Sequence, residues 1–135
     1  DFTNIEPFTL VLVDWKMQLK TYELVWDGVK KHFKELAQES KIWSSSTLYT
    51  NEMKELRKEW FANFLNDNNE IDQQEILAFH QNTKLGNSEI SPKMKRSYVE
   101  TVSVSSVKKE NSIISIEYLD FIQGVNTMQK KLKIQ

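Results

Sequence analysis

The chain has 135 residues, with 18 Lys and Arg against 19 Asp and Glu, a net charge of −1 and no cysteine. That length can bury a real core within one domain. The near balance of charge gives no general reason to expect nucleic acid or an anionic membrane surface, and the lack of Cys excludes disulfides and thiolate metal sites.

Only three Gly and two Pro punctuate the chain, which argues against a hairpin-rich β fold and favours helices. Pro7–Val13 (PFTLVLV) is the longest apolar patch, and it is far shorter than the ~18 residues of a membrane span. Trp15, Leu19, Tyr22 and Trp26 recur at helical spacing and form one apolar stripe. Val29, Phe33 and Leu36 continue a second short helix, and Lys41–Thr50, with Ser44, Ser45, Ser46 and Thr47, reads as a linker. Thr50 or Asn51 then caps a helix with Glu52 in its first turn. Met53, Leu56, Trp60, Phe61 and Phe64 line one face of it, and Ile76, Phe79 and His80 mark the helix that follows. Leu85–Ile90 reads as a loop. Ser91-Pro92 is a helix start signal, with Met94, Tyr98 and Val102 behind it. Val99–Val107 is β-branched and rich in Ser and Thr, which weakens its helical assignment. Tyr118, Phe121, Ile122 and Val125 make a last stripe, and Lys130–Gln135 is a basic tail.

Two segments share a pattern. Phe64–Phe79 reads FLNDNNEIDQQEILAF and Ser106–Phe121 reads SVKKENSIISIEYLDF. Each places an Asn shortly before an Ile and a Glu one helical turn after that Ile. A calcium loop of the helix–loop–helix type needs oxygen ligands along the loop, a sharp turn within it and a closing Glu. In the first segment Phe64 stands at the first ligand position, Asn66 and Asn68 at the next two, Asn69 at the turn, Ile71 at the bridge, Asp72 near the end and Glu75 at the close. In the second the same places hold Ser106, Lys108, Glu110, Asn111, Ile113, Ile114 and Glu117.

On these residues the chain resembles degenerate EF-hand proteins, the group of sarcoplasmic calcium-binding proteins, calexcitin-type proteins and coelenterazine-binding photoproteins. Trp15–Glu39 resembles a first hand with a shrunken loop, its Asp27-Gly28 the remnant of the turn. The resemblance implies an all-α fold, one compact domain over 1–135 made of EF-hand-like paired helix–loop–helix units at about 15–39, 51–82 and 92–128. Calcium binding is not expected. Phe64 offers no oxygen, Lys108 opposes a divalent cation, and Ile114 cannot coordinate. The metal candidates that remain are Asn66, Asn68, Asp72 and Glu75, and Asp72-x-x-Glu75 is equally a capping box that starts a helix without metal.

Catalysis finds little support: His32 and His80 stand alone, no Gly-rich phosphate loop occurs, and no metal-ligand pair is present. A non-enzyme is expected. Four Trp, four Tyr and seven Phe are generous for this length. The resemblance implies a pocket that holds an apolar small molecule between helices, for which Trp15, Tyr22, Trp26, Phe33, Trp60, Phe64, Phe79, His80, Met94 and Tyr98 are the candidates. The alternatives are a module that grips a partner's amphipathic helix and a residual calcium sensor or buffer on the 64–75 loop. No nucleic acid and no membrane span are expected. A chain that opens on Asp1 fits a processed mature protein or a trimmed one, soluble, with the compartment (extracellular or cytoplasmic) left open.

Overall fold

Strands, not helices, make up the regular structure towards both ends of the chain. The structure, a computed structural model, describes residues 2–45, 47–68, 70–123 and 128–133. In chain order it holds strands β1 (Phe8–Asp14), β2 (Lys20–Trp26) and β3 (Lys31–Glu35), helices α1 (Asn51–Asp67) and α2 (Gln73–His80), and strands β4 (Ser103–Glu110), β5 (Ile113–Asp120) and β6 (Met128–Lys133). The strands form two antiparallel three-stranded sheets, β1-β2-β3 and β4-β5-β6. The expected all-α, EF-hand-like architecture is therefore overturned. Asn69 and Val125, which that expectation used as turn and stripe residues, lie outside the described residues. The chain divides into two compact units, 1–58 and 59–135, each taken by itself below.

In the first unit, the stretch 15–39, expected to be a helix–loop–helix unit, holds strands β2 and β3, which complete a three-stranded meander with β1. Residues paired across antiparallel strands share a face. Phe8, Leu10 and Leu12 of β1 therefore lie beside Trp26, Leu24 and Tyr22 of β2, with Phe33 of β3 next to Leu24. Trp15, Leu19, Tyr22 and Trp26 do satisfy a helical spacing, but β-branched and aromatic residues from Phe8 to Trp26 satisfy a pleated one over a longer run. Asp27-Gly28 is the turn of a hairpin, not a loop remnant. Gly28 sits at φ 95°, open to glycine and strained for other residues. The Asp27 Oδ1 accepts from the backbone N–H groups of Val29 and Lys30 at 2.8 and 2.7 Å. His32 Nε2 lies 2.7 Å from Asp27 Oδ2. The Lys30 amide, then His32 and the Val29 amide, hold the exposed Asp27 carboxyl down to about 2.

The second face of this sheet carries Glu23, which is only 8% exposed. The linker expected over 41–50 covers it without regular structure. Trp43 donates its indole N–H to Glu23 Oε2, Lys41 Nζ reaches the same oxygen at 3.1 Å, and Lys34 Nζ reaches Oε1 at 2.9 Å. Burial pushes this carboxyl up, but the hydrogen bonds from Trp43, Lys34 and Lys41 and the charge of Lys41 outweigh it and bring it to about 2. Thr50 caps α1 by accepting from the Met53 amide at 3.3 Å. Arg57, on that helix, is buried; its Nε donates to Ser44 Oγ at 3.1 Å and its guanidinium lies 4.6 Å from the centre of the Tyr49 ring. Desolvation lowers its pKa.

In the second unit, the expected helical run over 92–128 is replaced by a loop and a sheet. Ser91 is fully buried and donates to the Lys93 carbonyl at 2.8 Å instead of capping a helix. The loop then closes on itself. Met94 N donates to Thr101 Oγ1 at 3.0 Å, Thr101 N donates to the Met94 carbonyl at 2.9 Å, and Lys95 bridges Glu100. The segment Ser106–Phe121, set beside a calcium loop by its spacing, is the β4–β5 hairpin. Its two-residue turn starts at Asn111, in the left-handed region at φ 52°. Val104, Val107, Ile113, Ile114 and Ile116 are stiff at χ1 and suit a pleated surface better than a helix. α2 packs on β4, where Gln73 Nε2 donates to Ser106 Oγ at 2.9 Å and Gln74 Nε2 donates to the buried Glu117 at 3.2 Å. Leu77, Phe79, Met94 and Ile114 are buried apolar side chains of this unit. Among the described residues no helix is long and apolar enough to cross a membrane.

Candidate functional site

The aromatic residues of α1 and α2 converge on one cleft of the second unit. Trp60 and Phe64 stand one helical turn apart on α1 and share a face. Phe79 enters from α2, its ring 5.0 Å from that of Phe64 and inclined by 35°. Phe61 backs them, 5.6 Å from Phe79 and 6.2 Å from Phe64. Such offset and tilted pairs hold ring planes in place. Leu85 and Ala78 complete the apolar wall, Asn63, Asn68 and Asn82 bring amides, and Asp67 and Glu75 stand at the rim. The cleft is open to solvent and offers about 420 Å³.

Each wall is fixed from behind. α2 starts with a capping box: Asp72 Oδ1 accepts from the Gln74 and Glu75 amides at 2.7 and 2.9 Å, and Glu75 Oε2 accepts from the Asp72 amide at 2.9 Å. Asn68 Nδ2 donates to the Phe64 carbonyl at 2.6 Å near the end of α1. After α2, Asn82 Oδ1 accepts from the Lys84 and Leu85 amides at 2.7 and 3.2 Å and sets Leu85 against the cleft. Gly86 follows at φ 69°, and a β-carbon there would lie 2.7 Å from Trp60 Cη2.

Of the ten residues singled out from the sequence, four belong to the first unit and six to the second. Trp15, Tyr22, Trp26 and Phe33 belong to the first unit, where Tyr22 and Phe33 stack at 5.5 Å on the sheet face. Trp60, Phe64 and Phe79 line the cleft. His80 turns to a second cleft of about 430 Å³ between α2 and β4, beside Ile76, Val104 and Val107. Met94 is core, 5% exposed, and Tyr98 is 98% exposed. Leu85, Ala78, Asn63 and Asn82 were not singled out, and Asn68 was named only as a metal candidate. Asn82 carries a signal of sorts, as a turn residue just beyond an apolar helix.

Of the four metal candidates, Asp72 and Glu75 form the cap of α2. Asp72 and Glu75 bind backbone N–H groups, Asn68 donates to a carbonyl, and Asn66 is exposed. Among the described residues no group of three or more His, Asp or Glu is placed to hold a metal. Compared with family models, with curated proteins and with solved structures, the chain matches none.

Proposed function

We propose that the chain is a non-catalytic binding protein whose second unit holds a small, largely apolar molecule against Trp60, Phe64 and Phe79. The observation that carries this reading is the convergence of three large rings from two helices on open space. Core aromatics normally meet each other and leave no void. Here they wall a volume of about 420 Å³, within the range of small-molecule sites of roughly 300–1,000 Å³. Amides at the margin give the few polar groups that orient a ligand in such sites. Native mass spectrometry of the chain purified from its source tests the reading. An added mass that disappears on denaturation is expected, as is its loss in Trp60→Ala. An unadorned mass, together with no uptake of indole or naphthalene at millimolar concentration, overturns it.

A second reading, a protein partner, is favoured by the apolar face of the β1-β2-β3 sheet. Leu10, Leu12 and Phe33 on that face are 44%, 41% and 61% exposed, an unusual concentration for one sheet face. The outer strands of three lie roughly 10 Å apart, which is one helix diameter, so the occupant this face suits is a single amphipathic helix. A photo-crosslinking residue at position 10 or 33 should then capture the same helical segment, and one at position 32, on the opposite face, should not. Equal capture from both faces removes this reading.

A further inference from the structure

Resting on the cleft reading above, we infer that the molecule held by Trp60, Phe64 and Phe79 is a cation, an aromatic or alkyl ammonium, and not a neutral or anionic compound. Three observations converge on this. The charged side chains that line the cleft are Asp67 and Glu75, and among its described lining residues none is basic. The walls are aromatic rings, whose negative faces attract a cation within about 6 Å of their centres. Glu75 is also fixed in place by the bond its Oε2 accepts from the Asp72 amide at 2.9 Å, so its charge stands at the rim without the entropic cost of ordering a free side chain.

The other features of the molecule point elsewhere. The cleft between α2 and β4 carries Lys108 at its margin and His80 in its wall, and so has no such bias in sign. Glu23 and Asp27 are carboxylates already held by their own neighbours. Aromatic walls beneath a one-signed acidic rim occur together at the Trp60–Phe79 cleft. An anionic ligand there would meet two carboxylates, and a neutral one would draw nothing from their charge.

Calorimetric titration with three probes of one ring system separates the outcomes: tryptamine (cationic), indole (neutral) and indole-3-propionate (anionic). Tryptamine should bind about tenfold more tightly than indole, the combined effect of half-exposed carboxylates and an aromatic face, and indole-3-propionate more weakly than either. Salt at 0.5 M should compress the difference. In the paired variant Asp67→Asn/Glu75→Gln the three should converge, while far-ultraviolet circular dichroism is unchanged, because Gln can also close a capping box. Asp67→Asn alone should give part of the effect. Indole binding as tightly as tryptamine overturns the charge assignment and leaves the cleft reading standing. If none of the three binds at millimolar concentration, the cleft reading fails, and this inference with it. A paired variant that keeps the tryptamine preference also overturns the inference.

Discussion

The edge of the Trp60 ring occupies the space that a side chain on Gly86 would need: a β-carbon there would lie 2.7 Å from Trp60 Cη2 and 2.9 Å from Ile90 Cδ1. The relationship joins a turn to a wall of the cleft. Gly86 also sits at φ 69°, where an L side chain is strained. Gly86→Ala should therefore destabilise the chain by about 1–3 kcal/mol and push the indole out of place. Urea unfolding reads the first effect, and the Trp60 emission maximum, isolated by subtracting the Trp60→Phe spectrum, reads the second. A variant with unchanged stability and emission would show that the turn yields without moving the ring.

The start of α2 distinguishes a cap from a metal loop. Asp72→Ala removes the acceptor for the Gln74 and Glu75 amides and should cost about 1 kcal/mol. The cost should be the same in millimolar calcium and in chelator. A ligand that binds the native state raises stability with its concentration. Calcium-dependent melting in the parent chain that vanishes in Asp72→Ala would return Asp72 to the role of metal ligand.

The helical half of the fold and the strand half differed in legibility for a physical reason. Met53, Trp60, Phe61 and Phe64 lie on a helix whose cap, Thr50, was readable as a short polar residue before an apolar run. Phe64 and Phe79, both named from the sequence as pocket candidates, line the same cleft. The sheets were obscured by spacing. Trp15, Leu19, Tyr22 and Trp26 fit a period of 3.6 as well as parts of one of 2, and the scarcity of Gly outweighed the Asp27-Gly28 turn signal that decides between them. Asn111 does the work of a turn glycine in the second hairpin, so composition alone concealed it. Ser91-Pro92 misled because its hydroxyl satisfies a carbonyl two residues on. The Glu23 and Arg57 clusters join residues 8–20 positions apart, and no local pattern announces such pairings.

Arg57 shows how much of the first unit depends on shape as well as charge. Its guanidinium carbon lies 4.6 Å from the centre of the Tyr49 ring while Nε donates to Ser44. Lys retains the charge but has neither the plane nor a donor at that place on its stem. Arg57→Lys should cost about 1–2 kcal/mol in thermal or urea unfolding. Equal stability would mean that the charge alone holds the 41–50 segment.

Glu23 gives the first unit an acid-sensitive anchor. Its carboxyl falls from 4.5 to about 2 in the folded chain, because the bonds from Trp43, Lys34 and Lys41 outweigh its burial. A group with a depressed folded pKa binds protons more readily in the unfolded state. Its contribution is therefore complete above pH 4.5, declines as the pH falls towards 2, and is absent below that. At neutral pH the shift corresponds to something on the order of 2–3 kcal/mol. Glu23→Gln keeps the shape and removes the charge, so Lys34 and Lys41 lose an ionic partner. The parent chain should exceed the variant in stability by nearly all of that amount at pH 6, by about three quarters of it at pH 4, and by under half of it at pH 3. Urea titrations of both proteins at the three values read this difference directly, and acid effects common to both cancel. A gap that stays constant from pH 6 to pH 3 would assign the loss to packing around the carboxamide and not to the ionised carboxylate.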